Sequence, residues 1–211
     1  MHSSFFKRAL PALAVTFALA ACGDTDAPAP DAPADAPGEA PAQEAAGPSP
    51  EQLAWWDNMQ ELCGMAFANP ENPEQVMHVR QCFEDEMRIP VHMGEDRSRT
   101  WIVTQEAHGL RLKHDHREED GSESEVTQYG GDTEDGGTPN SQDFHADEFT
   151  AELIPPASTN IWTMEIHPDD QFIYTLVRVG TDHGVVWPFD LTNPVAPPPA
   201  PWGYEDTEAT H

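Results

Sequence analysis

The sequence predicts a mostly β domain, an antiparallel up-and-down barrel of about eight strands with an N-terminal helix. It is lipocalin-like in outline, with an open β-sandwich as the alternative. Three observations predict it. Apolar residues alternate with polar ones from about residue 75 to residue 191, the period of a half-buried strand. The alternating runs are short and mostly joined by tight turns, which favours neighbours paired in chain order. One run at helical spacing precedes them. Closure into a barrel follows because it removes unpaired strand edges.

The helix starts at Ser49-Pro50-Glu51-Gln52. Ser49 caps, Pro50 suits the first turn and Gln52 completes a capping box. Leu53, Trp56, Met59 or Gln60, and Cys63 recur at helical spacing, with Trp55, Leu62 and Ala66 beside them, and Gly64 ends the helix. These tryptophans are expected to pack against the sheet. Cys63 and Cys82 are the only cysteines besides Cys22 and are expected to pair in an oxidising compartment. Their loop of about 20 residues is worth roughly 3 kcal/mol on the chain-entropy model.

The strands follow in order. In Val76 to Phe83, the residues Met77, Val79 and Phe83 share a face. Met87, Ile89, Val91 and Met93 share the next, and Trp101 and Val103 mark the third. After the turn at Ala107-His108-Gly109, Leu110, Leu112, His114 and His116 alternate with charged residues. Glu118 to Ser122 is a turn, Val126 to Tyr129 a strand, and the acidic, glycine-rich stretch from Gly130 to Ser141 a loop. Asp143 to Leu153 reads as helix or strand. Strands are then expected at Asn160 to His167, Phe172 to Val179 and Val185 to Leu191.

Proline clusters near residues 28–50 and 188–201, outside most of this pattern. The formal net charge is −28. Residues 51–211 carry 32 acids against 8 bases, a net of −24. Such a surface excludes nucleic acid as a partner, because binding there rests on Lys and Arg neutralising phosphates.

The N-terminus places Lys7 and Arg8 before an apolar run, Ala9 to Ala21, that ends Leu19-Ala20-Ala21-Cys22-Gly23. The run is too short to span a bilayer and fits a signal-peptide core. The segment resembles a bacterial lipobox. That resemblance implies cleavage before Cys22, acylation of its sulfur and amine, and membrane attachment through the acyl chains. Gly23 and Asp24, in place of Asp directly after the Cys, point to the outer membrane. The expected organisation is therefore a signal peptide at 1–21, a lipidated tether rich in Pro, Ala and Asp at 22–48, the β domain at 49–192 and a Pro-rich acidic tail at 193–211 that drapes or frays.

The strongest candidate site is Lys113-His114-Asp115-His116. Residues two apart on a strand point the same way, so His114 and His116 project together on the face of Leu110 and Leu112. They are candidate ligands for a divalent metal such as zinc, which usually takes three protein ligands when catalytic. Inward histidines without a ligand need hydrogen-bond partners, since unpaired buried polar groups are costly. Arg97 and Arg99, before Trp101, form a second candidate, a fork for an anion, against which stands local pairing with Glu95 and Asp96. The acidic stretches do not match a calcium loop. No motif in the chain fixes a reaction.

The runs Gly94-Glu95-Asp96-Arg97-Ser98-Arg99-Thr100-Trp101, Leu112-Lys113-His114-Asp115-His116-Arg117 and Tyr129-Gly130-Gly131-Asp132-Thr133 resemble an uncharacterised family of secreted bacterial proteins over roughly residues 60–203. That resemblance implies no activity, substrate or cofactor. Three functions are therefore open. The first is a module binding a small ligand or ion near His114, His116, Arg97, Arg99 and Trp101. The second is a structural lipoprotein contacting envelope components. The third is a metal-assisted hydrolase with Asp115 or Asp120 as base.

Overall fold

A computed structural model describes residues 47–210. The expected signal peptide, Cys22 and the expected tether as far as residue 46 lie outside the described residues. The fold is the expected one, an antiparallel sheet nearly closed into a barrel with one helix before it.

Helix α1 spans Pro50–Gln60. Its capping box forms as the sequence predicts: Ser49 Oγ accepts from the Gln52 amide, and Gln52 Oε1 accepts from the Ser49 amide. The helix crosses one end of the barrel. Trp55, Trp56 and Met59 are buried in the barrel core, and Trp55 Nε1 donates to the Met164 carbonyl. Gln52 Nε2 donates to Thr133 Oγ1 and to the Asp135 carbonyl, beside the β5–β6 turn at Gly109. The Cys63–Cys82 disulfide ties the chain after α1 to strand β3. Gly64, at φ +81°, turns the chain there, and its amide donates to the Val79 carbonyl.

The sheet has eleven strands: β1 (Ala66–Asn69), β2 (Asn72–His78), β3 (Gln81–Cys82), β4 (Glu86–Met93), β5 (Asp96–Glu106), β6 (Gly109–His116), β7 (Tyr129–Thr133), β8 (Ser141–Ala146), β9 (Asn160–His167), β10 (Gln171–Arg178) and β11 (Gly184–Asp190). Neighbours in sequence pair antiparallel throughout, except that β2 passes to β4, with the short β3 also on β4. The count exceeds the expected eight for identifiable reasons. β1 is four residues long, and the run from Val76 to Phe83 divides into β2 and β3. The acidic stretch after Tyr129 contains a strand. Gly130 and Gly131 lie in β7 because only glycine fits: a Cβ at Gly131 would stand 1.6 Å from the His145 carbonyl oxygen, and one at Gly130 1.9 Å from that of Leu112. The ambiguous stretch resolves as both elements, β8 and then helix α2 (Glu148–Leu153), capped by Asp147.

Inward parity follows the sequence closely. Met77, Val79, Met87, Ile89, Val91, Trp101, Val103, Leu110 and Leu112 are all buried. Phe83 is the exception at 43% exposed, because the chain leaves β2 at His78 and restarts the pairing in β3. Among the described residues no helix is long and apolar enough to cross a membrane.

The Pro-rich C-terminal segment drapes over the outer surface of β3–β6 as a strap. The Val195 amide donates to Ala66 of β1, and the Trp202 amide to Arg97 of β5. Arg97 Nη1 donates to the Ala200 carbonyl, Arg80 to that of Thr207 and Gln81 Nε2 to that of Glu208. Tyr204 sits between the Arg88 and Arg117 guanidiniums and donates to Asp115 Oδ2 at 2.6 Å.

Candidate binding site at the barrel mouth

The end of the barrel opposite α1 holds the polar aromatic part of the interior. Trp101 and Arg99 come from β5, His114 and His116 from β6, Tyr129 from β7, Tyr174 from β10 and Trp187 from β11. Together they line one cavity of about 70 Å³. That is room for about two waters, each taking about 30 Å³ of liquid. Alternation explains the β6 pair: His114 and His116 continue the inward side of Leu110 and Leu112, and the intervening Asp115 faces out.

His114 is 4% exposed and both its ring nitrogens are engaged. Nδ1 meets the Tyr129 carbonyl oxygen at 3.1 Å, which can only accept, so Nδ1 carries the proton. Nε2 therefore accepts from the Tyr174 hydroxyl at 2.9 Å. The imidazole also stacks on the Tyr129 ring, centroids 4.6 Å apart and 7° from parallel. The Tyr129 hydroxyl in turn lies 3.1 Å from His116 Nε2. Across the cavity Trp101, Tyr174 and Trp187 form a triangular cluster of near-parallel rings, with centroid separations of 4.3, 5.3 and 6.3 Å.

Burial governs the protonation states. It drives His114 down to about 3, against the opposing effect of the hydrogen bond that Nδ1 donates to the Tyr129 carbonyl. Burial, and then the neighbouring Arg99, lowers His116. Burial raises Tyr129 and takes Tyr174 well above the usual phenol range. Both imidazoles and both phenols are therefore neutral at pH 7. The charges at the rim are Arg99 and its partner Asp96, Nη1 to Oδ2 at 2.5 Å. Burial works against the Asp96 carboxylate, yet hydrogen bonds from Ser98 and Arg99 hold it below the ordinary carboxyl range.

The structure brings together four of the five residues expected to bind a ligand, Arg99, Trp101, His114 and His116, and separates Arg97 from them. A β-bulge does this. Val91 pairs with Arg99 and Met93 with Asp96, so Arg97 and Ser98 both stand opposite His92. The extra residue breaks the alternation, and Arg97 reaches the strap while Arg99 stays at the mouth. The expected two-arginine fork therefore does not form. The other bases of this region are locally paired: Arg111 with Asp132 and Glu106, Lys113 with Asp147, and Arg117 with Asp115.

Among the described residues no three His, Cys, Asp or Glu side chains gather in a metal-holding group. Coordination by His114 would require breaking one of its two hydrogen bonds. The acids proposed as bases are also placed elsewhere. Asp115 lies outside the barrel, bonded to Arg117, Thr127, Gln128 and Tyr204, and Asp120 is in an exposed turn bonded to Ser122. What the mouth offers is recognition: ring faces, a guanidinium, a carboxylate and neutral hydrogen-bonding groups around a small opening.

Tyr129, Tyr174 and Trp187 were not singled out in the sequence. Parity alone would turn Tyr174 inward with Phe172, and Trp187 inward with Phe189. Bringing them to His114 depends on the register of five strands, which no local pattern carries. Comparison of the chain with protein-family models, with curated proteins and with solved structures finds no match to any of them.

Proposed function

We propose that this chain is a lipid-anchored protein of the bacterial envelope, outer membrane favoured, whose barrel binds a small ligand at its mouth. The anchor reading rests on the lipobox ending at Cys22. The binding reading rests on one observation above others: at the end away from α1 the largely apolar barrel interior opens into a cavity lined by Arg99, His116, Tyr129 and Trp187, each only partly buried. A few convergent polar groups among aromatic walls are the lining chemistry of a ligand site, and at about 70 Å³ this one takes a group projecting from a ligand rather than the whole molecule.

Two measurements test the two halves. Full-length protein purified natively is analysed by mass spectrometry for co-purifying small molecules and by elemental analysis for metals. A reproducible bound molecule that is lost in Trp187→Ala supports the binding reading, and an empty wild-type protein counts against it. Metabolic labelling with a fatty acid tests the anchor. The label is expected on the wild type and absent from Cys22→Ala, and an unlabelled wild type refutes acylation.

A second reading, an interaction protein contacting envelope components, is favoured by three exposed valines on the outer surface around β10 and β11. Val177, Val179 and Val186 are 46%, 54% and 63% exposed on and beside β10 and β11. Exposed apolar patches of this kind often mark contact surfaces.

A further inference from the structure

Granting the mouth as a ligand site, we infer that its ligand is a carbohydrate: one neutral sugar residue lying on the rim, with a hydroxyl or hydroxymethyl group in the cavity between Arg99, His116 and Tyr129. Four observations carry this class: the first two exclude competitors, and the last two place the ring.

The first is charge. Arg99 is matched by Asp96, and nothing else lining the cavity is ionised at neutral pH. The site has no net charge with which to hold an ion. An anion would also approach through the field of a region carrying a net charge of −24, and a cation would meet Arg99 at contact.

The second is the complement of hydrogen-bonding groups. A guanidinium only donates and a carboxylate only accepts, while a hydroxyl does both. The Arg99–Asp96 pair lies beside His116, whose titration feels both charges, and the Tyr129 hydroxyl bonds that same imidazole. A ligand carrying adjacent hydroxyls can take a hydrogen from one member of this set and give one to another. A simple carboxylate, which only accepts, would compete with Asp96 for the same donor.

The third is the aromatic rim. Trp187 is partly exposed and is backed from inside by Tyr174 at 5.3 Å, so its ring is held in place before any ligand arrives. An aromatic face is the negative side of a quadrupole and attracts the weakly positive C–H edge that one side of a sugar ring presents. Rigidity of the platform lowers the ordering cost of binding.

The fourth is size. About 70 Å³ accepts a single hydroxyl-bearing carbon but no whole pyranose ring. The ring must therefore remain at the opening, where Trp187 stands.

The test uses the full-length chain and tryptophan fluorescence with saturation-transfer NMR. One panel holds neutral sugars: glucose, galactose, N-acetylglucosamine, and α1,4- and β1,4-linked tetramers of glucose. A second holds acetate, benzoate, phosphate and tetramethylammonium. Binding of at least one sugar is expected. Trp187→Ala should weaken it tenfold or more and Arg99→Gln by a similar factor, both measured well below the melting temperature of the variant, which Trp187→Ala should lower because this ring packs on Tyr174 and Trp101. Trp187→Phe, which keeps a ring face, should recover part of the loss. Binding of an ion from the second panel, dependent on Arg99 with no response to any sugar, overturns the carbohydrate assignment and leaves the ligand site standing. No response to either panel, from a protein that also purifies without a bound molecule, overturns both. Sugar binding that persists in Trp187→Ala and Arg99→Gln moves the site away from the mouth and overturns the inference.

Discussion

Asp115 is the buried charge on which the strap and the mouth strand both depend, so Asp115→Ala is the perturbation that tests the architecture most directly. Its carboxylate is fully buried on the outer side of β6. It accepts from Arg117 Nε at 3.0 Å, Gln128 Nε2 at 2.7 Å and the Tyr204 hydroxyl at 2.6 Å. Hydrogen bonds to a charged group are worth about 1.5–3 kcal/mol each, and although Arg117 keeps Glu123 and some contact with water, the loss of the Gln128 and Tyr204 bonds together comes to about 3–5 kcal/mol. At about 2–4 °C per kcal/mol for a domain of this size, the melting temperature should fall by about 10 °C or more. Tyr204→Phe removes a single hydrogen bond to a charged group, worth about 1.5–3 kcal/mol, and should lower it by about 5 °C. Thermal unfolding followed by circular dichroism at pH 7 reads both. Alkali gives an independent check. Burial and the bond to Asp115 push the Tyr204 phenol up to about 12 from 10.0. Because the folded value is the higher one, its contribution is complete below pH 10 and is lost as the pH rises through 12. Tyr204→Phe should lack that increment. A shift below about 2 °C in Asp115→Ala would refute the idea that this network holds the strap down.

Burial, helped for His92 by Arg97, lowers His92 to about 4, and burial lowers His114 to about 3. The unfolded chain therefore takes up their protons first, and stability should decline as pH falls from 6.5 towards 4, by about 1.4 kcal/mol per unit for each histidine. Urea midpoints measured from pH 7 to pH 4 should show a shallower slope in His92→Gln, and an unchanged slope would contradict the assignment. Gly131→Ala should abolish soluble expression, because its Cβ would overlap the His145 carbonyl, whereas Gly180→Ala, at φ +82° with nothing within 4 Å, should cost only about 1–2 kcal/mol. Equal expression and equal melting of these two variants would contradict the close approach of β7 and β8. Serine at both Cys63 and Cys82 should remove about 3 kcal/mol and lower the melting temperature by about 10 °C; melting at the wild-type temperature would show that the cross-link adds no stability.

Much of the fold was legible because the code involved is local. A period of two assigns faces wherever one side of a strand is buried, and it placed Met87, Ile89, Val91, Leu110, Leu112 and His114 inside. The capping box at Ser49 was equally readable, since all its atoms lie within four residues. What escaped depends on partners far along the chain. Gly130 and Gly131 look like loop residues until the strands either side approach too closely for any side chain. Arg97 and Arg99 share a face by parity, and only the pairing with β4 reveals the bulge that parts them. The mouth was half visible. Its β5 and β6 members lie within one hairpin, while Tyr174 and Trp187 join them from β10 and β11 through the register of the whole sheet.

The ordered path of the sheet runs from β1 to β11, and among the described residues these two end strands share no ladder of their own. A single link from Val195 to Ala66 bridges the gap. The two end strands lie against each other, and the strap adds the backbone link between them. Cutting the chain before residue 195 would remove that link and leave two raw borders of unpaired amides and carbonyls. Such borders favour pairing with a second chain, so a chain cut at that point should associate more readily than the intact one.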